Sequence, residues 1–156
     1  FRRTHLEIKG EKHLDLLEQA KKALEAEGVT FAAVSTSGEQ KTSQKKGIAP
    51  MMEILAECPE FLQGAAVADQ VIGKAAAFLL RKGGAKYLYA KIISEHALET
   101  LKDSGIAVSY GTKVPYIINR KKDGMCPMEQ TVLSVTDVEE AYGKLREKLR
   151  ELSGRN

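Results

Sequence analysis

The sequence has no tryptophan and two cysteines, Cys58 and Cys126, which lie far apart and in no CxxC pair. A disulfide framework and a cysteine-rich metal site are therefore not indicated, and one bridge between the two is the most the count allows. No apolar run approaches the roughly 20 residues that span a bilayer, and no signal-peptide pattern opens the sequence, so the expected compartment is the cytoplasm and no membrane partner is expected. Aromatic residues are few, and neither of the two basic clusters has aromatics interleaved as a stacking surface for bases would require. Charge of either sign is not in large excess, with a net of +3. It gathers at Lys41, Lys45 and Lys46 and again at Arg120, Lys121 and Lys122. Solvated loops explain both clusters, and nucleic acid is not the expected partner.

What is present fits one domain: 156 residues bury an adequate core without staples. Glu11–Glu27 places Leu14, Leu17, Ala20 and Leu24 on one helical face, with Gly28 as a left-handed stop. Val29–Thr36 reads as a strand, Ser37-Gly38 as a turn, and Glu39–Lys45 as a polar return strand suited to a sheet edge. Pro50 opens a helix carrying Met51, Ile54, Leu55 and Cys58, and Pro59 limits it. Cys58 is expected to be a small core residue. The apolar run Ala65–Ala68 reads as a buried strand ending on Asp69. Helix Lys74–Lys82 follows, stopped by Gly83-Gly84. Ala85–Ile93 is expected as a central strand, Ser94 as the N-cap of helix Glu95–Ser104, and Gly105 as the break before strand Ile106–Tyr110. The last helix spans about residues 137–152, with Thr136 and Glu139 in capping-box spacing and Val138, Ala141, Tyr142, Leu145, Leu149 and Leu152 on one face.

A helix, a hairpin and then alternating helices and strands predict an α/β fold, a three-layer α/β/α sandwich around a mixed sheet of four or five strands. Ligands of such sheets gather at the carboxyl ends of the strands, where Asp69, Lys74 and Ser94 are expected. Gly73 lets a backbone approach closely, and Lys74 stands at the positive end of a helix, a place suited to an anion; a tight turn with a surface lysine accounts for them equally well. Ser94, Glu95 and His96 open the next helix, where capping explains the first two and solvent the third. Pro127 makes Cys126 the expected N-cap of a short helix whose free N–H groups would favour a thiolate. A buried inert thiol is the plain alternative. Glu129, three residues on, has the spacing to fold back on the cap.

The stretches VADQVIGKAAAFLL, KYLYAKIISEHALETL, VPYIINR and DGMCPMEQTVL resemble a bacterial and archaeal domain of unknown function with a cytidine-deaminase-like fold. The resemblance covers about residues 12–142 and is most specific at GMCPMEQ. It implies the fold and no activity, because family members look like deaminases without the zinc site. Zinc deaminases need a His or Cys with a nearby Glu at one helix start and Pro-Cys-x-x-Cys at the next. The corresponding starts here read Gly73-Lys74-Ala75 and Ser94-Glu95-His96-Ala97, without a cysteine pair. His5-Leu6-Glu7 matches H-x-E but has no cysteine partner, so no metal or other cofactor is expected.

The expected function is a small-molecule site at the carboxyl edge of the sheet, for a nucleobase-, nucleotide- or metabolite-like ligand. Asp69, Gly73, Lys74, Ser94 and Asn119 would bind it. If the site is catalytic, Cys126 is the nucleophile and Glu129 or Glu95 handles protons. The alternative is a protein-interaction or homodimerisation module without chemistry.

Overall fold

A computed structural model describes residues 16–153. Its centre is a five-stranded sheet in the order β2-β1-β3-β4-β5, with β1 at Phe31–Val34, β2 at Gln40–Ser43, β3 at Ala66–Ile72, β4 at Tyr87–Ser94 and β5 at Ala107–Val114. β1 runs antiparallel to β2 and β3, whereas β3, β4 and β5 are parallel. The sheet is thus mixed, as the hairpin followed by βα alternation requires. The polar strand β2 lies at an edge with alternating exposure, and Gly38, at φ +92°, closes the hairpin.

The two faces of the sheet are covered unequally. Helix α1 (residues 16–24) lays Leu16, Ala20 and Leu24 on Ala32, Val34, Ala66 and Ala68. Three of those four sheet residues are alanines, which permits close approach. The other face carries α2 (Ala49–Glu57), α3 (Lys74–Gly83), α4 (Glu95–Leu101), α5 (Pro127–Thr131) and α6 (Val138–Ser153). Helix α3 is the hub of this layer, because α2, α4, α5 and α6 all pack against it. Its run Ala75-Ala76-Ala77-Phe78-Leu79-Leu80 is buried throughout, as expected of a helix enclosed on all sides. Each of its large apolar side chains contributes about 1.5–3 kcal/mol by leaving water. Gly83 is needed for the fit: a Cβ there would stand 2.8 Å from Leu62 Cβ. Gly84 then ends the helix at φ +78°.

Several boundaries differ from those the sequence suggests, each for a local reason. Strand β3 continues past Asp69 to Ile72, because Val71 and Ile72 pair with Ile92 and Ile93 of β4. Asp69 therefore sits inside the strand. Helix α6 starts after Asp137, whose carboxylate accepts from Glu140 N–H at 2.8 Å. Asp137 thus replaces Thr136 as cap, and Glu139 reaches Lys82 instead. Helix α1 stops at residue 24, short of the left-handed Gly28, and α4 stops at Leu101, before Asp103 turns to φ +60°. Strand β5 extends four residues beyond Tyr110. Cys58 is half-buried against the core at the end of α2. His5, Leu14 and the start of the first expected helix lie outside the described residues. Among the described residues no helix is long and apolar enough to cross a membrane.

Candidate functional site

A cleft of about 310 Å³ opens between the end of β3, the loop leading into α2, and the segment that enters α5. Ile48, Val71, Ala75, Ala76, Ile117 and Met128 give it largely apolar walls, and Thr30, Lys46 and Gln70 add polar groups to its lining. Asp69 also lines it and is only 6% exposed. Burial among apolar neighbours pushes its carboxyl well above the usual carboxylate range, and the backbone N–H groups of Val71 and Gln70 offset this only in part. While it holds its proton, such a carboxyl offers one donor and one acceptor side by side.

Glu129 lies at the inner end of the same cleft and is 1% exposed. Its Oε2 accepts from the backbone N–H of Lys74 at 2.8 Å and from Ser94 Oγ at 2.5 Å, while its Oε1 accepts from Ile117 N–H at 2.7 Å. Helix α3 begins at Lys74, so the first of these bonds puts a carboxylate on the positive end of a helix. Gly73 makes room for it: a Cβ there would lie 2.9 Å from Ile117 Cγ1 and 3.2 Å from Glu129 Oε2. The anion that Gly73 and the start of α3 receive is thus a side chain of the protein itself.

The family model described as a domain of unknown function, DUF1893, matches residues 19–149. The chain belongs to this family. A solved DUF1893 protein from Thermotoga maritima superposes with a TM-score of 0.76 at 33% identity, covering 88% of this chain and 90% of that one. Two further structures are more distant. A Thermotoga maritima diaminohydroxyphosphoribosylaminopyrimidine deaminase/5-amino-6-(5-phosphoribosylamino)uracil reductase gives a TM-score of 0.40 at 16% identity, over 84% of this chain and 42% of that chain. A mutant of NE0047 in complex with 8-azaguanine gives 0.41 at 11%, over 89% and 84%. No protein of curated function matches the sequence.

In this DUF1893 chain the residues expected to form one site separate into several places. Asp69, Gly73, Cys126 and Glu129 share the cleft. Ser94 lies fully buried behind it, donating to Glu129 and accepting from Ala97 N–H at 3.0 Å as the cap of α4. Only the backbone of Lys74 reaches the site. Its ammonium turns away to the carbonyl of Leu133 at 2.6 Å, over the Phe78 ring. Glu95 is exposed and borders a separate depression with Lys102 and Lys113. Asn119 is tied to Asp123, donating to its carboxylate at 2.8 Å and accepting from its N–H at 3.2 Å. His96 borders a polar hollow beside Arg81 and Glu99.

Cys126 does stand at the N-cap of α5, but no capping hydrogen bond reaches its sulfur. Its own N–H donates to Ile117 O at 2.7 Å, so Glu129 does not fold back on the cap. A zinc ion does not fit the junction of the two helix starts. The groups that converge there on the Glu129 carboxylate are N–H and O–H donors, which a cation would repel. Among the described residues no three His, Cys, Asp or Glu side chains converge elsewhere. Lys46, Ile48, Gln70, Ile117 and Met128 were not singled out as site residues. Lys46 stands in a visible lysine cluster, Gln70 adjoins Asp69, and Ile117 and Met128 lie within VPYIINR and GMCPMEQ; Ile48 carries no local signal.

Proposed function

We propose that this protein binds a small, flat, largely apolar molecule in the cleft beside β3, with Asp69 pairing to a polar edge of that molecule. The observation that carries this reading is the placement of a buried carboxyl, Asp69, in a largely apolar hollow. Such a combination of apolar walls with a few fixed polar groups is what small-molecule sites have in common. A neutral carboxyl presents a donor and an acceptor together, matching the amide-like edge of a nucleobase or related heterocycle. The volume, near the lower end for ligand sites, suits a single ring system.

Glu129 holds the inner wall in place, and its oxygens are already engaged, so the reading gives it a positioning role and no proton transfer. Cys126 stands beside the ligand. No zinc-activated water enters this reading, because the donor set at the helix starts is wrong for the ion.

The test is a melting-point series with free purine and pyrimidine bases and their nucleosides, since a ligand that binds only the folded state raises the melting temperature. A selective rise in the native protein, absent in Asp69→Leu, supports the reading. That variant keeps a floor of similar bulk while removing the polar edge. Equal rises in both proteins, or none from any compound, would overturn it and leave a protein-interaction or homodimerisation role as the alternative.

A further inference from the structure

The cleft does not end at Lys46 and Cys126. Together with Gly47, Ile48 and Met128 these residues also line a second, larger groove of about 820 Å³, so the two cavities share a wall. The outer groove is lined by Ile118, Leu149 and Leu152 and also by charge: Lys46, which it shares with the inner cleft, and Arg120 and Lys121 border it from two separate loops. All three are exposed, and none forms an ion pair with a carboxylate among the described residues. The neighbouring Lys45, by contrast, is paired with Glu53. Asp123 is the one acidic side chain on the groove, and Asn119 already ties it down. Among the described residues, three cations without a carboxylate partner face one acid that is engaged elsewhere, an excess of positive charge on the groove.

Resting on the ligand reading above, we propose that the outer groove seats a phosphate carried by the same ligand, so that the molecule bound is a nucleoside phosphate or a close analogue. Its heterocycle occupies the inner cleft against Asp69. Its phosphate emerges past Lys46 to Arg120 and Lys121. Arginine matches phosphate oxygens with two parallel N–H donors, and two lysines add point charge. The inner cleft is the smaller, and the outer groove adds Arg120 and Lys121, which is the order of such a molecule from heterocycle to phosphate. The two basic clusters of the sequence thereby acquire a shared object, although they lie far apart along the chain.

Calorimetric titration of the full chain with a nucleoside, its 5′-monophosphate and inorganic phosphate separates the two cavities. The monophosphate is expected to bind roughly tenfold or more tightly than the nucleoside, the scale of one or two charge-assisted contacts, and the gap should narrow as salt is raised. In the double variant Arg120→Gln, Lys121→Gln, which leaves the lining of the inner cleft untouched, the gap should shrink while nucleoside affinity stays unchanged. The replaced side chains are exposed, and an unshifted melting curve verifies that the variant folds. Equal affinity for nucleoside and monophosphate in the native protein overturns the phosphate seat and leaves the inner site standing. Inorganic phosphate binding that gains nothing from an attached nucleoside also overturns it, because the cavities then share no ligand. Absence of binding by all three probes overturns this proposal and the reading beneath it together.

Discussion

At the scale of single residues, Asp69 and Glu129 are both buried acids in one cleft, yet they are accommodated in opposite ways. Glu129 has three donors aimed at its two oxygens. Asp69 has two backbone N–H groups that do not outweigh the loss of water. The difference makes stability depend on pH in a definite direction. A carboxyl whose folded pKa lies above its ordinary 3.8 binds more protons in the folded than in the unfolded state across that interval, so stability falls as pH rises through it. The contribution is complete below the ordinary value and lost above the raised one. Asp69→Asn is uncharged throughout. Its melting temperature should therefore climb relative to the native protein as pH is raised from acid to neutral, and a constant difference across that range would refute the assignment. Ligand affinity should weaken over the same interval, because the donor on Asp69 is lost with its proton.

At the scale of elements, α3 and α6 give contrasting uses of glycine. Gly73, just before α3, is crowded by Ile117 and Glu129, whereas Gly143 within α6 has nothing within 4 Å of where a Cβ would stand. Gly73→Ala should cost about 1–3 kcal/mol by forcing those neighbours apart. Gly143→Ala should gain about 0.5–1 kcal/mol by removing chain entropy from the unfolded state. Paired denaturant titrations would show the opposite shifts, and shifts of the same sign would contradict the packing described. These helices also indicate what a sequence discloses. The extent of α3, the Ser94 cap and the polar edge strand β2 were legible, because each rests on neighbours within a few positions. The cap of α6 falls one residue later than the spacing predicts, since Thr136 and Asp137 have similar local claims. The end of β3 was missed because its last residues are fixed by pairing with β4. The residues expected in one site divide in the same way. Asp69, Gly73, Cys126 and Glu129 come together, but the partners of Glu129 come from three other segments. Lys74, Glu95 and Asn119 point elsewhere because helix phase and loop clamping, which spacing alone does not reveal, decide their direction.

At the scale of the whole molecule, the structure is organised around one enclosed helix and three interior strands. β3 lies between β1 and β4 and is buried over most of its length, whereas the side chains of β5 are mostly exposed. Local opening requires the least free energy where few buried contacts are lost. Amide hydrogen exchange should accordingly be slowest in β3 and α3 and fastest in β2 and β5. Uniform protection across the five strands would instead indicate that the sheet opens only as a unit. The covering of the two faces bears on the same measurement: among the described residues α1 is the helix on the alanine-rich side, so its loss of order would expose β1 and β3 together.

The junction at Glu129 bears finally on time. It joins the start of α3, the start of α4, α5 and the segment at Ile117 using only groups the protein supplies, so the cleft wall stands assembled before anything enters. Little disorder is left for a ligand to remove. Entry should therefore proceed at the pace of encounters with an open mouth, without waiting for a rearrangement. Discrimination between related molecules would then reside in their departure, in how long each remains once inside.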